Sequence, residues 1–566
     1  MGGRKVADAS AAARTAVHDA LGQRGFTPAA SASGTALFSG VLDPNVLGIP
    51  TTIAVDDLDF VAYPRIQIEP GFHMPERTLP HLLGVNRSLC YYGKGSVILD
   101  RYDPGGTVLQ CLEQAEAVLR DAVAGRSDDD FADEFQAYWG GTFAYVDLPI
   151  GHIGPARLCR TTLDRGNRTP LVATTGRSWF MARTERARRR SDAGEPLAVV
   201  TVDQPLTFAA TEAWPPETLP DLNRWLERAA PGVVGVVEEV LRTRPGTSAA
   251  VLIRAPNGLY CFRVKVPLQL RRPEFLEIRR MRLPEVMARQ LTPTPIERSV
   301  GVRADAEYLF GRNLGRMRNL SGKKILLAGC GTIGGFLAQQ LAQCGAGAGK
   351  GTLALTDTDI LSTGNLGRHL LGVPYLGRNK AEACAAFLKE QLPPLAIEGH
   401  ACDVRELDLR RESYDLIIDA TGEEALSLAL NERAVRTRPT TPPHLFVWLV
   451  ANGAAAQCLL TGEAERACLK CLKPALAGPP RFPVLRDGVE VETMANVSCG
   501  DADYVPFPVS RSVAAAALAC DLAIDWANGD PGDRFRTILL DVRRALPVPN
   551  GNPGPDEACP ACRAGA

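Results

Sequence analysis

The chain is 566 residues long, room for roughly three or four ordinary domains, and 45% of it is hydrophobic, so sizeable cores can form. Basic and acidic residues nearly cancel, leaving a formal charge of -1, which argues against a general nucleic-acid coat or an anchor to acidic membranes. No run of about 18 apolar residues offers a membrane span, and the first residues lack the apolar core of a signal peptide, so the expected location is the cytoplasm. The 15 cysteines then read as metal ligands, reactive thiols and core fillers rather than disulfides.

The spacing of Val6, Ala12, Val17 and Leu21 predicts an amphipathic helix at the N-terminus. Short β-rich runs follow at 35–41, 51–55 and 60–68, each bounded by Gly, Pro or Asp. A loop then leads to Ser88, Leu89 and Cys90, and Val108, Cys111, Leu112, Ala115 and Leu119 predict a helix over 107–124. With a further short helix at 128–139, residues 1–140 read as a small α+β domain. Residues 141–300 carry predicted strands at 198–202, 249–253 and 259–266 and a helix near 234–242, but no chemical motif. They read as a linker or adaptor domain, and the basic run at 186–190 as a solvated loop.

Residues 301–566 differ. A strand at 324–328 runs into Gly329-Cys330-Gly331-Thr332-Ile333-Gly334 and a helix. A second strand ends in Asp357-Thr358-Asp359, and a third ends in Asp419. Strands alternating with helices predict an α/β, doubly wound, Rossmann-like sheet. Gly329, Gly331 and Gly334 permit a tight turn and close backbone approach, and the helix start offers free N–H groups to phosphate. An acid at the end of the next strand, Asp357, falls where a ribose hydroxyl is held. These features alone suit a nicotinamide dehydrogenase as readily as an ATP enzyme. Two CxxC pairs, Cys468 with Cys471 and Cys559 with Cys562, can together close a tetrahedral structural zinc site. Cys499 lies in a loop before an Ala-rich helix, where a thiol can be exposed and its thiolate favoured. Cys330, Cys344, Cys384, Cys458 and Cys520 sit in apolar runs and read as core.

The stretch Asp357-Thr358-Asp359-Ile360-Leu361-Ser362-Thr363-Gly364-Asn365-Leu366-Gly367-Arg368, with Gly377-Arg378-Asn379-Lys380 beyond it, resembles the ThiF/MoeB and ubiquitin-activating superfamily. That resemblance implies ATP-dependent adenylation of a protein's C-terminal carboxylate. Asp357 would hold the ribose, while Asn365, Arg368 and Lys380 would contact the phosphates. Arg312 or Arg316 would be the family's arginine finger, supplied across a homodimer. Gly364 replaces the serine of the family's triplet, and Asp419-Ala420-Thr421-Gly422 lacks the family's further acid for magnesium. Asp419, Asp359 or Glu423 would then help with Mg2+. The paired CxxC motifs recur in that family in this order, and a cysteine in the region of Cys499 takes the acyl group as a thioester.

Tyr63-Pro64, His81 and Leu89-Cys90 before a long helix resemble the ubiquitin-conjugating fold in its divergent bacterial form, with Cys90 as thioester carrier. The His-Pro-Asn triplet is absent; Pro80-His81 is reversed, and Asn86 is the candidate for the oxyanion-stabilising asparagine. Both halves on one chain resemble the bacterial fusions of activating and conjugating enzyme in CBASS anti-phage operons. The implied partner is a cGAS-like nucleotidyltransferase whose C-terminus is joined to amines, without membrane or direct nucleic-acid contact. Ligation of a separate small ubiquitin-like modifier, sulfur transfer and a non-catalytic scaffold are the alternatives.

Overall fold

The computed structural model of the protein describes residues 2–30, 35–70, 72, 77–84, 87–160, 171–175, 194–243, 248–271, 282–288, 293–438, 440–495 and 503–563. Asn86, the basic run at 186–190 and Cys499 lie outside them. The chain divides into two compact units, Met1–Arg303 and Ala304–Ala566.

The first unit begins with strands β1 (Thr27–Ala29), β2 (Ala36–Leu42), β3 (Ile49–Val55), β4 (Arg65–Ile68), β5 (Leu82–Leu83) and β6 (Ser88–Leu89). They pair antiparallel in the order β1-β2-β3-β4-β6-β5. Alternation along the strands turns Phe38, Ile53, Ile66 and Ile68 into one core with Val108, Cys111, Leu112, Ala115 and Leu119 of the helix Pro104–Val123. That helix starts cleanly because the Asp103 carboxylate accepts the Gly106 N–H at 2.9 Å and Pro104 occupies a position that needs no donor. The strand predicted at 60–68 is shorter than expected. The Asp57 carboxylate accepts N–H groups from Asp59, Val61 and Ala62, which curls that stretch into a turn. The helix predicted at 128–139 is two short ones, Asp130–Asp133 and Phe135–Trp139, because Glu134 leaves the helical path between them.

Residues read as a linker have a core of their own. Strands β7 (Thr142–Asp147), β8 (Ala156–Arg160), β9 (Leu171–Thr174), β10 (Glu195–Thr201), β11 (Ser248–Ala255), β12 (Gly258–Lys265) and β13 (Ile296–Arg303) close into a barrel in the order β10-β11-β12-β13-β7-β9-β8. Closure leaves no sheet edge open to a stray strand. Phe131, Phe135 and Trp139 bury completely against Trp225, Tyr260 and Phe262, and the Trp139 indole N–H donates to the Ser299 carbonyl at 3.2 Å. Each such side chain contributes about 2 kcal/mol of burial.

The second unit is a seven-stranded sheet of β14 (Lys324–Ala328), β15 (Thr352–Thr356), β16 (Ile397–His400), β17 (Leu416–Asp419), β18 (His444–Val450), β19 (Ala455–Thr461) and β20 (Phe535–Leu539). Its order is β16-β15-β14-β17-β18-β19-β20, parallel up to β18 and antiparallel beyond. The parallel strands are nearly continuous buried runs, as a sheet covered on both faces requires. Helices Thr332–Gln343 and Val509–Ala527 cover one face and pack on each other, with the small residues Ala338, Ala342, Ala515, Ala516 and Ala519 buried in one core. Strand order reverses between β14 and β17, which opens a crevice at their carboxyl ends. Among the described residues, no helix is long and apolar enough to cross a membrane.

Candidate active site

The glycine loop fills that crevice. Gly329 follows β14 with a φ of +85°, and a Cβ there would lie 2.7 Å from the Thr421 Cα. Only glycine lets the loops after β14 and β17 approach so closely. A Cβ at Gly334 would lie 1.8 Å from the Gly329 carbonyl oxygen, so the helix start is folded directly onto the loop. At Gly331 the added atom would meet nothing within 4 Å. Gly331 caps the helix Thr332–Gln343 with no side chain bonded across its first turn, which leaves backbone donors aimed at a cavity of about 170 Å³.

Asp357 binds the loop from the next strand. Its carboxylate accepts the Cys330 N–H at 2.7 Å and the Asp359 N–H at 2.8 Å. Asp359 pairs with Lys380 Nζ at 2.7 Å, and Asn379 Nδ2 donates to the Asp357 carbonyl at 2.7 Å. The cavity wall therefore gathers Gly329, Gly331, Asp357, Asp359 and Lys380 from the predicted set, joined by Glu423. Asn365 lies outside that wall and caps its own turn, its Oδ1 accepting from the Ser362 N–H and hydroxyl, both at 3.0 Å. Arg368 lies over the Tyr504 ring at 5.9 Å, and its Nε is buried without a hydrogen-bond partner among the described residues. Arg312 and Arg316 are both exposed, Arg312 lying over the Tyr308 ring at 5.7 Å.

Asp419 is 2% exposed. Its Oδ1 accepts from the Thr421 N–H at 3.0 Å and the Thr421 hydroxyl at 2.7 Å, and its Oδ2 from the Ser427 hydroxyl at 2.5 Å. Burial pushes its carboxyl up despite these bonds. Asp419 thus pins the loop that lies against Gly329. A second cavity of about 370 Å³ adjoins this loop at Asp419 and Gly422 and is walled by Phe446, Trp448, Phe482 and Phe535.

Sequence reasoning missed Cys402, Asp403, Val404 and Thr421, which also line the cavity beside the glycine loop, because loop ends after distant strands carry no local signature. It also missed His369, although the residue directly follows Arg368. Its Nε2–H donates to the Cys330 carbonyl at 2.6 Å, and its Nδ1 accepts the Leu371 N–H at 3.0 Å.

The four cysteines of the CxxC pairs converge, with every ligand atom within 4.8 Å of the others. Measured sulfur separations are 3.7 Å for Cys468–Cys471, 3.7 Å for Cys468–Cys559, 3.5 Å for Cys471–Cys562 and 3.6 Å for Cys562–Cys468. A tetrahedron with zinc–sulfur bonds of about 2.3 Å has edges of about 3.8 Å, so the set fits zinc. The Asn431 amide donates to Cys468 Sγ at 3.5 Å and the Asp556 N–H to Cys471 Sγ at 3.4 Å, supports suited to anionic sulfur. Of the thiols read as core, Cys330, Cys384, Cys458 and Cys520 are buried, while Cys344 is partly exposed, 3.9 Å from Cys520.

In the first unit, Cys90 follows β6 and is partly exposed. Its N–H donates to the His81 carbonyl at 2.8 Å. His81 holds a φ of +64°, and two carboxylates clasp its ring: Nδ1 lies 2.8 Å from Glu134 and Nε2 2.9 Å from Asp130. The hydrogen bond to Glu134 raises the imidazole above its usual range, opposed by burial and helped by the charges of Glu134 and Asp130. Burial pushes Glu134 up, but the bonds and charge of His81 outweigh it and leave the carboxyl low. Burial, then the Glu134 charge, raises the Cys90 thiol. The ion pairs should therefore stabilise this unit fully between the unfolded glutamate and histidine values, about 4.3 and about 6.5. That contribution fades as pH rises through the raised folded value, and also as pH falls through the depressed Glu134 value. Melting of the Glu134→Gln variant across pH should flatten both limbs; an unchanged profile would remove the clasp from the account.

Taken with the family matches, this geometry defines an adenylating domain of the ubiquitin-activating class, carried on one chain with a conjugating-type domain. The ThiF family model matches residues 306–522, and the model of prokaryotic E2 family B matches 41–142. A Pseudomonas aeruginosa protein named ATP-dependent ubiquitin transferase-like protein Cap2 is 33% identical over 98% of this chain and 99% of its own length. An Escherichia coli protein of the same name is 30% identical over 59% of this chain and 58% of its own. The chain belongs to this Cap2 family of ATP-dependent ubiquitin transferase-like enzymes. The mouse adenylyltransferase and sulfurtransferase MOCS3 is 29% identical over 45% of the chain and 55% of its own length. The crystal structure of Escherichia coli MccB with ATP aligns with a TM-score of 0.32 at 18% identity, over 43% of this chain and 67% of that one.

Proposed function

We propose that the chain activates the C-terminal carboxylate of a partner protein and relays it through two cysteines to an amine. A carboxylate oxygen attacks the α-phosphorus of ATP and pyrophosphate leaves. The Cys499 thiolate then attacks the acyl carbon and AMP leaves. The Cys90 thiolate displaces Cys499, and an amine finally displaces Cys90, leaving an amide and a thiol. The observation that carries this reading is the convergence of Gly331, Asp357, Asp359 and Lys380 on one cavity at the strand-order reversal. Donors at a helix start and a lysine are what a transition state with charge gathering on pyrophosphate needs.

Asp357 would hold the ribose, and Lys380, Arg368 and Asn365 would meet the phosphates, with Arg312 or Arg316 reaching in from a second copy in a homodimer. Mg2+ accompanying ATP would be met by Asp419, Asp359 or Glu423, the last two standing on the cavity wall. Zinc would occupy the four-cysteine site as a structural ion. The partner, on the family resemblance, is a cGAS-like nucleotidyltransferase in anti-phage defence.

A Cys90→Ser variant expressed in the native host tests the relay. Serine turns a labile thioester into a longer-lived ester, so mass spectrometry should find another protein's C-terminus on residue 90. Wild type that consumes ATP and loads Cys499, beside a variant without adduct at 90, would confine the chemistry to the second unit. Loading at neither cysteine would favour the scaffold.

A further inference from the structure

We propose that His369 is a positioning residue of the adenylation site, which turns the Cys330–Gly331 peptide so that the Gly331 N–H faces the phosphates of the nucleotide. The inference rests on the reading that the glycine loop receives those phosphates.

The tautomer follows from the two ring bonds. Nε2 faces a carbonyl, an acceptor, at 2.6 Å, and Nδ1 faces the Leu371 N–H, a donor, at 3.0 Å. Both bonds form only with the neutral ring protonated at Nε2. The ring is 7% exposed, and burial, foremost, with the charges of Lys380 and Arg368, keeps the imidazole below its usual value. The Cys330 carbonyl and the Asp357 carboxylate act in the opposite direction.

The consequence is set by peptide geometry. In a trans peptide the carbonyl and the following N–H point in opposite directions. Holding the Cys330 oxygen against His369 turns the Gly331 N–H away, toward the side where a Cβ on Gly331 meets nothing. Among the described residues no acceptor meets that N–H. The Asp357 carboxylate holds the neighbouring Cys330 N–H, so Gly331 carries the donor left over for a ligand. The Leu371 bond also fixes the chain three residues past Arg368, so one side chain ties the phosphate-facing loop to the segment bearing that arginine. Gly335 packs against the ring: a Cβ there would lie 3.5 Å from its Cε1, an ordinary contact distance.

Two variants separate positioning from packing. His369→Leu keeps a buried side chain of similar size and loses the donor. His369→Gln can place an amide N–H near Nε2 and restore the bond to Cys330. Calorimetric titration with Mg2+ and ATP should show affinity falling about 10- to 100-fold in the leucine variant, with melting near wild type and most of the affinity regained with glutamine. Wild-type affinity should also fall as acid protonates the ring, since Nδ1 would then oppose the Leu371 N–H. The glutamine variant should lack that limb, and the nucleotide's own titration is common to both proteins and cancels in the comparison. Leucine binding as well as wild type, or an acid limb that persists with glutamine, would overturn the inference. Should the leucine variant not fold, the pH comparison of glutamine with wild type decides alone. Failure of the wild type itself to bind ATP would instead remove the reading of the loop.

Discussion

Alanine at position 334 is expected to abolish activation, with ATP–pyrophosphate exchange falling by at least about 100-fold. The added Cβ would sit 1.8 Å from the Gly329 oxygen, a backbone atom that cannot swing aside as a side chain could. Either the helix Thr332–Gln343 backs away or the loop does, by on the order of 1 Å, and a shift of that size at a reacting centre costs roughly 100-fold in rate. The loop has little slack, since Asp357 holds the Cys330 N–H, His369 holds the Cys330 carbonyl and the Gly329 N–H donates to the Thr356 carbonyl at 2.9 Å. Gly331→Ala is the matched control, because its new methyl group meets no protein atom within 4 Å. That variant should melt like wild type and still bind ATP more weakly, its methyl group occupying the phosphate side of the cavity. Near-normal exchange in the position 334 variant would mean that loop and helix do not act as a unit. Normal ATP affinity in the position 331 variant would place the phosphates elsewhere.

How far the sequence was readable depends on how local each requirement is. Gly329, Gly331 and Gly334 could be found because a turn between strand and helix makes its demands within six residues, and Asp357 because the end of the next strand is equally local. The helix Pro104–Val123 announced itself through the period of Val108, Cys111, Leu112, Ala115 and Leu119. The barrel did not, because closure pairs β13 with β7, joining Ser299 to Thr142 and Arg303 to Val146. Periodicity states that a strand exists and says nothing about a mate some 150 residues away. The same holds for side chains. His81 was singled out with Pro80, but its partners Asp130 and Glu134 lay in a stretch read only as helix, and their i,i+4 spacing was the signal available. Lys380 shows a different limit. Its place in the motif suggests a phosphate, whereas in the structure its ammonium pairs with Asp359 at 2.7 Å, so a phosphate bound there would have to share or break that pair.

With zinc in the four-cysteine site as proposed, its removal is expected to be the largest stability effect in the second unit. The site joins segments far apart in the chain, Cys468 and Cys471 on one side and Cys559 and Cys562 on the other, and the apolar cluster around it is small. Val435, Ala467 and Ala561 are the other buried members, too little hydrophobic surface to hold the terminal segment alone. Without an ion, four thiolates at 3.5 to 3.7 Å repel one another, so each sulfur must take up a proton or the cluster must open. Apparent zinc affinity in comparable closed sites is on the order of 10 kcal/mol or more, and much of it is folding energy. Chelation or Cys562→Ser should then cost roughly 3 kcal/mol or more and lower the melting midpoint by about 5 to 10 °C. The loss should reach the sheet, because the Ala467 N–H donates to the Pro553 carbonyl at 2.8 Å and the Phe535 N–H, on β20, to the Gly551 carbonyl at 3.0 Å. Proteolysis should accordingly cut first near residues 550–563 in the stripped protein. Elemental analysis finding one zinc per chain, lost together with the stability, is the outcome that supports this account. Unchanged melting after complete metal removal would reduce the four cysteines to a packed thiol cluster.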